Sequence, residues 1–288
     1  MRRLLFVAAG VIALSCTPKN PPSTPTPVIP PPAPPGAPPP APAQGMRLGP
    51  SALRYVMHQV IHIDQEFQGM RQPLDFGLRI YFAVTITGPA DSAGYPTTVT
   101  IDSIAPDSGT TAPMGINLGA AKGLSFVGRL APSGEFRNQA ASDSVAAQSL
   151  SPIVGSFKNF FPRLPASGLT LGATWTDTTT TSDRAAGTVT VTSISRSYAA
   201  AWEDRGGTRV MRVDVTSTFT IKGGGSQAGQ PFEVAGTGVR GGVDYIAADG
   251  RYVGGESRDS TSMTITLPIQ AMTIPRTQVS KTTVQVLP

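Results

Sequence analysis

The chain has 288 residues, a formal net charge of +5, only 14% charged residues, 31 Gly, 28 Pro and one cysteine. A single cysteine excludes a disulfide framework and the Cys-based zinc sites. Beyond Arg2-Arg3 the basic residues stand singly, which argues against nucleic acid as a partner.

The N-terminus is built for export. Met1-Arg2-Arg3 is a short positive region, and Leu4 to Leu14 is an apolar run broken only by Gly10. This is the layout of a secretory signal peptide, and the run is well short of the about 20 residues a bilayer span needs. Ala13-Leu14-Ser15-Cys16 resembles the lipobox of bacterial lipoproteins, with Ala13 standing where that family prefers Leu, Val or Ile. The resemblance covers residues 1–16. It implies a signal peptide over 1–15 and a Cys16 that is acylated, with palmitate among the chains, and becomes the mature N-terminus. The partner it implies is the membrane. Thr17, where an Asp would favour inner-membrane retention, implies the outer membrane of a Gram-negative envelope. Loss of Arg2 and Arg3 lowers the formal charge to +3.

Residues 16–45 then form a lipidated cysteine followed by a Pro-rich linker, with 14 prolines in the 29 residues Thr17–Gly45. Proline cannot join a ladder or a helix interior, so the segment builds no core. In polyproline II, at about 3.1 Å per residue, it is a semi-rigid stalk of up to roughly 90 Å. A rival reading is a PxxP ligand for a partner.

Residues 46–288 read as a single β-rich domain. Leu53, Tyr55, Met57, Ile61, Ile63 and Phe67 alternate with Arg54, His58, His62, Asp64 and Glu66, with Gln59 and Gln65 interrupting the apolar face. Period two means a strand with one wet face. Phe76 to Ile86 repeats the pattern, Gly88-Pro89 stops it, and Val99-Thr100-Ile101 and Leu124–Leu130 follow as strands. Pro132-Ser133-Gly134 signals a hairpin.

Ser151–Trp175 is the one convincing helical region. Ser151-Pro152 suits an N-cap and first helical position. Ile153, Val154, Phe157, Phe160 and Phe161 fall on one stripe, so a helix over about 151–161 is expected, ended by Pro162. Ser142–Ser149 fits a short helix or a loop. From Thr174 the strand pattern resumes, through Val210–Ile221, Phe232–Ile246, Arg251–Thr266 and Met272–Leu287, with Gly223-Gly224-Gly225 read as a flexible tip. Gly128–Phe136 and Tyr245–Tyr252 are similar hairpins, which hints at two like halves, about 46–141 and 172–288.

No candidate chemistry survives scrutiny. Gly236–Gly241 fits G-x-G-x-x-G but is followed by a strand, not a helix, so it reads as strand-bending glycines. His58 and His62, four apart on a strand, lie about 13 Å apart and cannot share a metal. Gly224–Ala228 only faintly resembles a nucleophile elbow. Asp102, Asp107, Asp143, Asp177, Asp183, Glu203, Asp204, Asp244 and Asp249 are dispersed, and turn chemistry accounts for most. No catalytic residue, metal site or cofactor is expected.

The aromatics Phe157, Phe160, Phe161 and Trp175 are the candidate ligand-binding residues: a sheet covering them partly would leave an apolar cavity, whereas full cover would make an ordinary core. Leu164-Pro165 followed by Gly172-Ala173-Thr174-Trp175 resembles a motif of uncharacterised secreted β-rich bacterial families, which implies no activity. The fold expected is mainly β: a strongly curved antiparallel sheet or open barrel packed on one central helix, resembling the lipoprotein-carrier and receptor folds. A β-sandwich is the alternative. The function expected is a lipid-anchored, non-enzymatic envelope protein that binds an apolar ligand or a lipoprotein. The alternative is a structural or protein-interaction domain on a stalk.

Overall fold

The computed structural model describes residues 45–108, 110, 117–183, 187–227 and 229–288. The signal peptide, Cys16 and nearly all of the Pro-rich linker lie outside the described residues.

The protein is mainly β. The strands are β1 (Ser51–Phe67), β2 (Met70–Ile86), β3 (Tyr95–Pro106), β4 (Ser125–Leu130), β5 (Phe136–Ala141), β6 (Thr174–Asp183), β7 (Gly187–Arg205), β8 (Thr208–Gln227), β9 (Gln230–Ala247), β10 (Tyr252–Leu267) and β11 (Met272–Val286). They form one curved antiparallel sheet in the order β5-β4-β3-β2-β1-β11-β10-β9-β8-β7-β6. The sheet is not closed: β5 and β6 are its two edges. It is therefore two consecutive meanders, β1–β5 and β6–β11, sewn together where β1 pairs with β11, from Tyr55↔Val286 to Gln65↔Arg276. The connection between the meanders runs from one edge strand to the other and carries all the α-helix described.

Curvature has local causes. The ladder slips at Tyr81/Phe82, at Ala199/Ala201 and between Tyr252 and Gly254, and such bulges bend a strand and sharpen its twist. In β9, a side chain at Gly238 would collide with the ring of Phe219 on the neighbouring strand, and one at Gly236 would come within 2.6 Å of Met263 Cβ. Only glycine lets these strands approach so closely. Gly223-Gly224-Gly225, expected as a flexible tip, lies inside β8 and is paired on both sides, with Val189 to Thr188 and Gly187 on β7 and Val234 to Phe232 on β9. The close approach of Gly223 to Thr188 and Val189 explains why the run lacks side chains.

The expected helix over 151–161 is broken up. α1 (Ser144–Ser149) is capped by Asp143, whose carboxylate accepts from the Val145 and Ala146 N–H groups. α2 (Ser151–Val154) is one turn with no side-chain cap, and Gly155–Asn159 tightens into a 3₁₀ turn. The apolar stripe is nonetheless buried: Ile153, Val154, Phe157, Phe160 and Phe161 are each at most 9% exposed. A 3₁₀ turn has three residues per turn, which sets Phe157 and Phe160 above one another. Both meet Phe82 edge-on, with centroids at 4.8 and 5.1 Å. Tyr55 stacks on Phe82 at 5.4 Å, and Phe160 also touches Tyr252. Met46, paired with Leu169, and Leu48 add to the same core.

The two similar hairpins have the same turn. In one, Gly134 N–H donates to Ala131 O and Ala131 N–H donates to Glu135 O, both at 2.8 Å. In the other, Gly250 N–H donates to Ala247 O and Ala247 N–H to Arg251 O, both at 2.8 Å. Both glycines have positive φ, +90° and +86°, which a residue with a side chain rarely adopts. Each turn then delivers a buried aromatic, Phe136 or Tyr252.

Candidate functional site

A cavity of about 430 Å³ lies along the concave face of β6–β11 and β1, closed at one end by Phe160, Phe161 and Pro162 of the connection. Its wall follows from the register. Successive cross-strand partners place Asp177 (β6), Ser195 (β7), Ser217 (β8), Arg240 (β9), Asp259 (β10) and Ser280 (β11) side by side in one row across six strands. Toward the Phe end of the cavity lie Val215, Val213, Val284 and Met57. These apolar side chains are interleaved with Gln59, Ser197, Asp244 and Thr282, and Thr179, Ser193 and Phe219 continue the lining on the other side of the belt.

The belt is bonded within itself. Ser195 and Ser217 share a hydrogen bond of 2.8 Å, and Ser280 Oγ donates to Asp259 Oδ2 at 3.0 Å. Arg240 Nε stands 2.8 Å from Asp259 Oδ1, a charge contact without hydrogen-bond geometry, and among the described residues no donor bonds to this buried oxygen. Arg163, from the connection, stands 4.0 Å from Asp177 and 3.9 Å from Glu135.

Between the belt and the Phe end, Asp244 accepts from Tyr252 Oη at 2.9 Å. Tyr55 Oη in turn donates to Tyr252 O at 2.6 Å. Burial pushes the Asp244 carboxyl up to about 6, against the pull of the Tyr252 hydroxyl and of Arg240. Burial, then the neighbouring Asp244, raises the Tyr252 phenol, and burial alone raises Tyr55. Neither phenol ionises at ordinary pH.

The candidate residues separate. Phe160 and Phe161 form the end wall of the cavity. Phe157, 1% exposed, is turned into the core against Phe82 and Phe126. Trp175 is half-buried beside the core, its indole N–H donating to Arg163 O at 3.0 Å, and is not in the cavity wall. Cys16 lies outside the described residues.

Both histidines are on the opposite, convex face. His58 Nε2 donates to Asp107 Oδ2 at 2.6 Å, and Arg79 Nε donates to Asp107 Oδ1 at 2.9 Å. His58 first, then Arg79, holds the Asp107 carboxyl below the usual range. His62 Nδ1 donates to Asp75 Oδ1 at 2.7 Å. These are carboxylate-bound imidazoles on an open face, and among the described residues no hydroxyl bonds to either. Among the described residues no group of three or more His, Cys, Asp or Glu is placed to hold a metal ion. Gly236–Gly241 lies within β9, with no helix after it.

Sequence reasoning missed the belt. Turn chemistry does not account for most of the dispersed carboxylates: Asp102, Asp177, Asp183, Glu203, Asp204 and Asp244 all lie within strands. Period two gives the face of each, but six strands must be aligned before the row appears. Asp143 and Asp249 do serve a helix cap and a turn. The chain matches no protein-family model and none of the curated proteins.

Proposed function

We propose that the chain is a lipid-anchored, non-enzymatic cell-envelope protein that holds an apolar ligand, or the acyl part of a lipoprotein, in the channel of its curved sheet. The anchor is Cys16, and the outer membrane is the expected site. On this reading the sheet is an open barrel, the segment around Phe157–Phe161 is its plug, and the Pro-rich linker lifts it from the bilayer. Residues 46–288 are then a single domain of two like halves, joined by the connection.

One observation carries the proposal: a cavity of about 430 Å³ survives beside Phe160 and Phe161. That volume is within the about 300–1,000 Å³ usual for small-ligand sites. Val213, Val215, Val284 and Met57 supply apolar contact next to the rings.

Titration of a fluorescent fatty acid against the full chain tests the ligand. Saturable binding is expected, abolished by Val215→Trp, which fills the channel. Binding that is unchanged by the filled channel would refute the reading. Growth with labelled palmitate tests the anchor: label is expected and is lost in Cys16→Ser. A soluble, unlabelled protein would end the anchoring proposal.

A second reading, a structural or interaction domain, is favoured by the two free edges, β5 and β6, which offer unpaired backbone to another strand. Exposed Met70, Leu74 and Ile269 at hairpin ends add to it. A partner-dependent phenotype with no ligand bound would select that reading.

A further inference from the structure

We propose that the row Asp177–Ser195–Ser217–Arg240–Asp259, with Ser280 buttressing Asp259 from behind, is a head-group subsite for an amphiphile whose head is neutral and rich in hydroxyls, a polyol or a sugar. The inference rests on the reading of the channel as a ligand site and adds the chemistry of the ligand's polar end.

The first argument is charge. The belt has two carboxylates, Asp177 and Asp259, and each already faces a guanidinium. Arg240 stands 2.8 Å from Asp259, and Arg163 stands 4.0 Å from Asp177. An anionic head would have to compete with Asp259 for Arg240, or with Glu135 and Asp177 for Arg163. Asp244, held by Tyr252, is a third carboxylate in the wall and weighs further against an anion.

The second argument is hydrogen-bonding capacity. Asp259 is already engaged: Oδ2 accepts from Ser280 Oγ, and Oδ1 is buried 2.8 Å from Arg240 Nε. Arg240 Nη2 reaches Ser257 Oγ only at 3.4 Å, so its fork has donors to spare. Ser195 and Ser217 share one proton between two oxygens, leaving a hydroxyl hydrogen and lone pairs free. Spare capacity therefore lies side by side on Asp177, Ser195, Ser217 and Arg240, about 4.8 Å apart from strand to strand. A hydroxyl supplies one donor and two acceptors from one small group, and a polyol repeats it along its length. The apolar tail would run toward Val215, Val213 and the rings of Phe160 and Phe161.

The test uses the full chain with Cys16→Ala, which excludes any acyl group of its own. Dodecyl maltoside, dodecylphosphocholine, dodecyltrimethylammonium and laurate are titrated by calorimetry, each below its micelle concentration. Maltoside is expected to bind at least about ten-fold tighter than the other three. Arg240→Gln and Asp259→Asn are each expected to weaken maltoside about ten-fold and leave laurate unchanged. Preference for any charged head overturns the inference. So does equal binding of all four probes with no effect of either variant, though the channel would remain a site for the tail. Absence of binding by every probe overturns the ligand-site reading and this inference together. The comparison of four probes on one protein stands even where a belt variant folds poorly.

Discussion

The same curved sheet is solid on one side and hollow on the other. Over β1–β3 the inward residues are large: Tyr55, Ile80, Phe82, Val99 and Ile101 are each at most 1% exposed. Over β6–β9 the equivalent positions hold Ser195, Ser217, Val215 and Gly242, and they line a cavity. The cross-strand pair Tyr55–Phe82 stacks ring on ring, whereas the cross-strand pair Ser195–Ser217 leaves only two hydroxyls in contact. The connection contributes three phenylalanines, and their ring contacts go to Tyr55, Phe82, Phe126, Phe136 and Tyr252. Side-chain volume alone therefore decides which side becomes core and which stays a channel.

The sharpest way to break that contrast is Phe82→Ala. Phe82 is fully buried and meets three other rings, so the change removes apolar area and leaves a void. A loss of about 3–5 kcal/mol in urea unfolding is expected. A loss under about 1 kcal/mol would mean that the filled side is not packed. Next in size is Gly134→Ala. Its φ of +90° is strained for alanine, and the added Cβ would collide with Pro162 O. The conformational cost alone is about 1–2 kcal/mol, and the collision adds to it. Gly172→Ala, at φ +80° with open space around it, isolates the conformational part and should cost about 1 kcal/mol. Equal losses at the two glycines would show that the turn is not wedged against the connection.

How much of this contrast is legible in the sequence differs by element. Strand faces are legible because period two needs only one strand at a time: Gln59, which interrupts an apolar face on paper, lines the cavity. The burial of Ile153 through Phe161 is legible from its stripe, but the backbone is not. Gly155 and the uncapped start leave only a single α-turn before the 3₁₀ turn, and buried ring contacts, not helix length, hold the segment in place. The belt is the least legible part. Asp177 and Ser280 are brought to the same row only by five registers in succession, one of which slips at Ala199/Ala201. No local pattern encodes that sum. The two hairpin turns, by contrast, are visible as Ala-x-x-Gly-x-aromatic, because a positive φ demands glycine.

The third way to test the contrast is pH. Asp244 lies at the border between the filled and hollow sides, with its carboxyl raised to about 6 mainly by burial. A carboxyl raised in the folded state binds more protons there than in the unfolded chain. Its stabilising contribution is complete below the unfolded pKa of about 4 and is lost as pH rises through about 6. Asp244→Asn is neutral at every pH and can still accept from Tyr252. The variant should gain on the wild type as pH rises from about 4 to 7, by on the order of 1 kcal/mol. A difference independent of pH would mean that Asp244 is hydrated from the channel and not desolvated.

The smallest expected effect is on the hollow side, at Ser195 and Ser217. These two hydroxyls bond to one another at 2.8 Å. Removing one partner leaves the other without its bond in a half-buried place, which should cost up to about 1 kcal/mol in Ser217→Ala. Removing both takes away the need as well as the bond, so the double variant should lie within about 0.5 kcal/mol of the wild type. Such a cycle, read in urea, separates a pair kept for stability from one kept for another purpose. If the double variant is as stable as the wild type but binds dodecyl maltoside more weakly, the hydroxyls serve the channel and not the fold. If it loses several kcal/mol, the hollow side is a core in its own right, and the difference between the two sides of the sheet is one of polarity, not of packing.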